Sequence, residues 1–168
     1  MNWPSKDKRE EYEINEFIKA YKQLPHGREF TIKSRSEKPD YILEDSKTCE
    51  CFGVELTSVY LSDRSVPDGH IARPDIIEIP YCENSLEQYK ERLFRAIIKK
   101  IEKARTGYAV ECPLLLSIYV NEYISIHMRE EDWNSLAKEH GDFWDSMEPF
   151  IEVVFWSLPN GGVFSIKS

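Results

Sequence analysis

Two acids stand close enough in sequence to share a hard cation, with a threonine two residues past the second. Asp40 follows Pro39, and after a short polar stretch comes Gly53-Val54-Glu55-Leu56-Thr57. Carboxylates on adjacent short strands can converge on Mg²⁺ or Mn²⁺, ions that prefer oxygen ligands and often take only one or two carboxylates beside waters and a substrate phosphate. Glu55 and Thr57 lie two apart, so in a strand they point to the same face. The backbone carbonyl of Leu56 between them could add a ligand. Glu55 is also set in the largely apolar run Val54–Val59, where an acid is costly to bury without a partner or a metal. The alternative is an edge or one-sided strand with Glu55 facing water.

These residues need elements to position them. Lys6–Leu24 reads as a helix, with Ile14, Phe17, Ile18, Tyr21 and Leu24 on one face, stopped by Pro25-His26-Gly27. Three short strands follow: Glu29–Ser34, Asp40–Leu43 and Phe52–Tyr60, the last two joined by the polar turn Glu44–Glu50. Leu61–Asn84 is a long connection containing Pro67, Gly69, Pro74 and Pro80; connections of that length are functional or mobile. A second, longer helix is expected over Ser85–Gly107, with Ser85 as N-cap and Glu87 in the first turn. Pro113–Val120 is nearly continuous in apolar residues, as in a strand buried on both faces. A shorter helix near Glu130–Glu139 and a terminal strand pair, Phe150–Leu158 and Val163–Ile166, complete the chain. The order predicts a single α/β domain over residues 1–168, a mixed central sheet flanked by helices.

On the long helix, Leu86, Tyr89, Leu93, Ala96, Ile97, Ile101 and Ala104 define the inward face, and Lys100 projects within the same arc. Lys99 points away and Lys103 lies at the margin. A lysine on a core face either snorkels or serves a site.

The Pro-Asp, hairpin, Glu-x-Thr arrangement resembles the signature of the PD-(D/E)XK nuclease superfamily. There a Pro-Asp is followed by a second acid and, two residues on, a lysine. Asp40 matches the first acid and Glu55 the second; Thr57 stands where the lysine usually does. By order of elements the resemblance covers roughly residues 6 to 120. It implies a restriction-endonuclease-like fold and metal-assisted hydrolysis of a phosphodiester in DNA or RNA. Asp40, Glu55 and the Leu56 carbonyl would hold Mg²⁺ or Mn²⁺. Some members carry the lysine on the following helix, which makes Lys100 the candidate for orienting water or stabilising the transition state. Thr57 could only hydrogen-bond, and Lys103 is a second supporting residue. Members also often carry a glutamate on the first helix near the metal. Glu13 is the candidate and Glu10 the alternative, against a solvated acidic helix start favoured by the dipole.

Other signals are weaker. Cys49-Glu-Cys51 with Cys82, Cys112 or His70 does not have the spacing of a recognised zinc site. Asp75, Glu78 and Glu83 read as solvation of the long connection. Arg92, Arg95, Lys99, Lys103 and Arg105 make a basic stripe, but Glu87, Glu91 and Glu102 among them suggest ordinary ion pairing. His127 and His140 have no visible partner in the sequence, and Phe155 and Trp156 read as core.

The totals set bounds. A length of 168 residues, with 41% hydrophobic and 31% charged, fits one globular domain. A net charge of −8 argues against a broad basic face clamping duplex nucleic acid, though not against a local groove. No apolar run reaches transmembrane length, and residues 1–22 show no signal-peptide core. Four cysteines in a chain of this length suggest free thiols in a reducing cytoplasm. Two rivals to a metal-dependent nuclease stand beside it. One is a catalytically silent relative that binds a protein or nucleic acid, favoured by the displaced lysine and the negative charge. The other is an acidic DNA mimic, disfavoured because its carboxylates are interleaved with Lys and Arg.

Overall fold

The computed structural model describes residues 5–59, 83–108, 111–120, 130–157 and 162–167, with backbone alone at 83–86. The first helix, α1, spans Lys6–Tyr21 behind an N-cap at Ser5. It ends three residues short of the expected Leu24. Pro25 disfavours a helical conformation just before it, and the chain tightens into i→i−3 bonds, Gln23 N–H to the Ala20 carbonyl and Leu24 N–H to that of Tyr21. Leu24 is buried all the same. A Cβ at Gly27 would lie 2.5–2.8 Å from the carbonyl oxygens of Tyr21, Lys22 and Leu24, so only glycine fits this close turn.

Strands β1 (Phe30–Arg35), β2 (Tyr41–Asp45) and β3 (Cys51–Val59) form an antiparallel meander. The turn between β2 and β3 is organised by Asp45, whose carboxylate accepts from the N–H groups of Lys47 (2.8 Å) and Thr48 (3.3 Å) and from Arg28 (2.8 Å). Helix α2 (Glu83–Gly107) then crosses over to β4 (Leu114–Val120), which runs parallel to β3; a parallel pair requires such a crossover. Glu83 and Asn84 therefore belong to α2 and not to the preceding connection. Ser85 lies inside the helix, so it does not act as the expected N-cap.

Helix α3 (Glu130–Glu139) has the expected bounds. A single extra turn, α4 (Gly141–Trp144), leads into β5 (Phe150–Trp156), parallel to β4, and β6 (Val163–Lys167) closes antiparallel on β5. The result is a six-stranded mixed open sheet in the order β1-β2-β3-β4-β5-β6.

Helices cover both faces. Ile14, Phe17 and Tyr21 of α1 pack on Tyr41, Leu43, Val54, Leu56, Leu115 and Trp156. Tyr89, Leu93, Ile97, Ile101 and Ala104 of α2, with Leu136 of α3 and Trp144 of α4, pack on Val59, Leu116, Ile118, Val153 and Phe155. Every residue of β4 is buried, as its continuous apolar run requires. Among the described residues no helix is long and apolar enough to cross a membrane. His70, Asp75, Glu78, Cys82, His127 and the turn after Ser157 lie outside the described residues, as does the side chain of Leu86.

Candidate active site

The alternation of β3 decides which of its side chains can meet a helix. Val54 and Leu56 face α1, so Glu55, Thr57 and Val59 face α2. Glu55 lies in an interior strand and is 3% exposed, which excludes the alternative of a solvated edge acid. The helical period brings Lys100 over it. Lys100 is half-buried among Ile97, Ile101 and Ala104, and its Nζ donates to Glu55 Oε1 at 2.7 Å.

Asp40 joins the pair because β2 stops pairing just before it. The last β2–β3 register position is Tyr41 opposite Val54, so continuing it places Asp40 opposite Glu55 and Pro39 opposite Leu56. Pro39 has no N–H to extend the ladder. Asp40 Oδ2 accepts the Leu56 N–H at 2.8 Å in the position a strand partner would have held. In an antiparallel pair a residue's N–H and C=O leave on the same edge. The Leu56 carbonyl is therefore turned toward the Asp40 side, beyond the end of β2. Gly53 allows this corner to close: a Cβ there would lie 2.7 Å from Pro39 Cγ and 2.5 Å from Leu114 Cδ2.

The electrostatics follow from burial. Asp40 is pushed up from 3.8 to about 6 by desolvation and by the Glu55 charge; the Leu56 N–H and Lys100 pull it back, and Glu10 adds a further rise. Tyr108, one residue beyond α2, lies against Glu55. Burial, with hydrogen bonding and charge from Glu55, drives its phenol well above the usual tyrosine range. Glu55 Oε2 and Thr57 Oγ1 are buried, and neither has a hydrogen-bond partner among the described residues.

Asp40, Glu55, Thr57, the Leu56 carbonyl and Lys100 thus gather at one corner. Glu13 is elsewhere: it is buried on α1, and its Oε1 accepts from Ser58 Oγ at 2.5 Å, on the face opposite Glu55 by strand parity. Glu10 pairs with Arg35 (2.7 Å) and Lys6 (3.4 Å). Lys103 is exposed on α2. In the basic stripe, Arg95 and Lys99 are exposed as well, whereas Arg105 donates to the carbonyls of Glu148 and Ser146 and ties the end of α2 to the approach to β5. His140 stacks on Phe94 with ring centroids 4.0 Å apart.

Two groups carry no sequence-level assignment. Tyr108 falls past the last periodic turn of α2, so helical spacing gives no signal for it. A second buried acid, Glu152 on β5, accepts from Tyr21 Oη at 2.8 Å and contacts His26 Nε2 at 2.5 Å.

The donor set at the corner suits a hard divalent cation. It offers two carboxylates, one with an unpartnered buried oxygen, and a carbonyl turned to the same side. Among the described residues no three His, Cys, Asp or Glu side chains are placed to hold a metal ion together, so the carbonyl and water would have to complete such a site. The chain matches no protein-family model, no curated protein and no solved structure.

Proposed function

We propose that the chain is a Mg²⁺- or Mn²⁺-dependent nuclease that hydrolyses phosphodiester bonds of DNA or RNA. The observation that carries the reading is the meeting of Asp40, Glu55 and Lys100 where β2 leaves β3, with Leu56 N–H on Asp40 and Lys100 Nζ on Glu55. The α-β-β-β-α-β order over residues 6–120 supports a restriction-endonuclease-like fold and the PD-(D/E)XK resemblance. Asp40, Glu55 and the Leu56 carbonyl would hold the cation, which when bound supplies Lewis-acid charge and makes water a better nucleophile. Lys100 provides a cationic donor beside these acids, where a phosphodiester under attack accumulates negative charge. Thr57 cannot supply that charge; its Oγ1, which has no hydrogen-bond partner among the described residues, is left to hydrogen-bond water or substrate. Tyr108 stands beside the Glu55 carboxylate just past the end of α2.

A second reading, a silent protein of the same architecture that binds nucleic acid or protein, is favoured by one feature. Lys100 already neutralises Glu55 without a metal. Cleavage of labelled single- and double-stranded DNA and RNA with Mg²⁺ and with Mn²⁺ separates the two. Metal-dependent cutting by the wild type, lost in folded Glu55→Ala and Lys100→Ala variants, is the expected result. Cutting that survives Glu55→Ala overturns the assignment, and no cutting by the folded wild type on any substrate selects the silent reading.

A further inference from the structure

The helix that delivers Lys100 also carries a row of basic side chains on its outer side. At about 100° per residue, the order around α2 runs Lys100, Lys103, Lys99, Arg95, then Glu102 and Glu91. Arg95, Lys99 and Lys103 therefore form one row beside Lys100, and the two glutamates border it on the side away from the acid corner. Lys103 is one turn on from both Lys99 and Lys100, a spacing at which Cβ atoms are about 5–6 Å apart. From Arg95 to Lys103 the row is about 12 Å long, at roughly 1.5 Å per residue. A fourth cation meets its end. Lys38, two residues before Asp40, has its Nζ 3.8 Å from where a Cβ on Gly107 would stand, at the last residue of α2.

The interleaved glutamates predict ordinary ion pairing for this row, and the structure departs from that. Arg95, Lys99, Lys103 and Lys38 are exposed, and none makes an ion pair or a side-chain hydrogen bond among the described residues. Elsewhere a carboxylate is within reach: Lys6, Lys19, Lys22, Lys33 and Lys90 are each paired, as a chain with 30 acids to 22 bases favours. Lys8, Lys138 and Lys167 are also unpaired among the described residues, but they lie on three different elements. Only beside Asp40, Glu55 and Lys100 do such cations adjoin one another among the elements described. A nucleic-acid strand carries one negative charge per about 3.4 Å of axis, so the α2 row matches about three to four phosphates.

We propose that Lys38, Lys103, Lys99 and Arg95 form a track that holds the phosphate backbone of a single nucleic-acid strand on the exposed side of α2 and leads it past Asp40 and Glu55. The inference rests on the nuclease reading and gives its substrate a path. Charge complementarity selects the occupant: cations repeating at about one helical turn, with no carboxylate closing on them, suit a polyanion of regularly spaced charge. One strand fits better than a clamped duplex, because the row is single and the chain as a whole carries a net charge of −8. Contacts of this kind position the backbone and carry no sequence preference.

The test is binding of a fluorescein-labelled oligothymidylate to the full chain in EDTA, read by anisotropy over a salt series, so that no metal-dependent cutting enters the signal. Each phosphate contact on a single strand contributes about 0.7 to the slope of log affinity against log salt. Lys99→Gln with Lys103→Gln should therefore lower the slope by about 1.4, and adding Arg95→Gln and Lys38→Gln should lower it by about as much again. Lys138→Gln, on α3, should leave the slope unchanged, and every variant should still melt cooperatively. An unchanged slope in the fourfold variant, an equal loss in Lys138→Gln, or no binding by the wild type overturns the proposal. A wild type that cuts nothing yet binds with this slope keeps the track and rejects the nuclease reading. A wild type that cuts, with a fourfold variant that binds and cuts equally well, keeps the reading and rejects the track.

Discussion

Replacing Asp40 by Asn should make the metal-free protein more stable while removing one ligand of the proposed cation site. Burial raises the Asp40 pKa from 3.8 to about 6, and the Glu55 charge adds to the rise against the Leu56 N–H and Lys100. The folded state therefore holds the Asp40 proton more tightly than the unfolded chain does. Its contribution is favourable below the unfolded value and is lost as pH climbs from about 4 to about 6. A shift of that size in a fully buried group would correspond to about 3 kcal/mol; Asp40 is partly solvated, and screening reduces the effect to on the order of 1 kcal/mol. Asn keeps an oxygen for the Leu56 N–H and carries no charge, so at neutral pH without metal it should raise the melting temperature by roughly 3 °C. Divalent binding needs the ionised acid. With a pKa near 6, about nine-tenths of Asp40 is ionised at pH 7 and about one-tenth at pH 5, so Mn²⁺ affinity should fall about tenfold between them. Thermal melts with and without Mn²⁺, and calorimetric titration at the two pH values, read both effects. A lower metal-free melting temperature for Asp40→Asn, or Mn²⁺ affinity that ignores both pH and the substitution, would refute the reasoning.

Much of this corner was legible because its two periodicities are strict. The period of two in β3 separates Glu55 and Thr57 from Val54 and Leu56, and the period of 3.6 in α2 keeps Lys100 in the arc of Ile97, Ile101 and Ala104. Those periods set Glu55 and Thr57 on one face of β3 and Lys100 on the packed side of α2; the fold lays α2 over the Glu55 face, and there Lys100 meets Glu55. The same rule shows why Glu13 could not be placed from α1 alone. Its period gives a side of the helix but not which face of the sheet that side meets, and its partner Ser58 lies on the face away from Glu55. Glu152 carried the signal that made Glu55 conspicuous, an acid inside an apolar strand. Its partners Tyr21 and His26 lie 131 and 126 positions away in sequence, and no local spacing links residues so far apart. Element ends were less legible than element identities. Ser85 carries a cap signal in the sequence, yet α2 already runs from Glu83, and α4 is too short for a periodicity to register.

Two other substitutions test the packing that holds these groups. Gly53→Ala puts a methyl 2.7 Å from Pro39 Cγ and 2.5 Å from Leu114 Cδ2; Leu114 can turn aside but the Pro39 ring must move, carrying Asp40 with it. Overpacking of this kind costs about 1–3 kcal/mol, so the urea midpoint should fall and Mn²⁺ affinity should fall with it, whereas unchanged affinity would show that Asp40 is not held through Gly53. Tyr21→Phe tests the buried Glu152. Phe retains the ring contacts with Phe17 (5.7 Å) and Phe30 (5.1 Å), so the change isolates the hydroxyl, which donates to Glu152 Oε2 at 2.8 Å. Glu152 is 2% exposed, water cannot readily replace the lost donor, and among the described residues His26 is left as its side-chain partner. An unsatisfied buried acceptor costs about 1–3 kcal/mol, and the urea midpoint should drop accordingly with the slope unchanged. A midpoint equal to wild type would mean that Glu152 finds another donor, and that α1 is fixed to β5 by its apolar face alone.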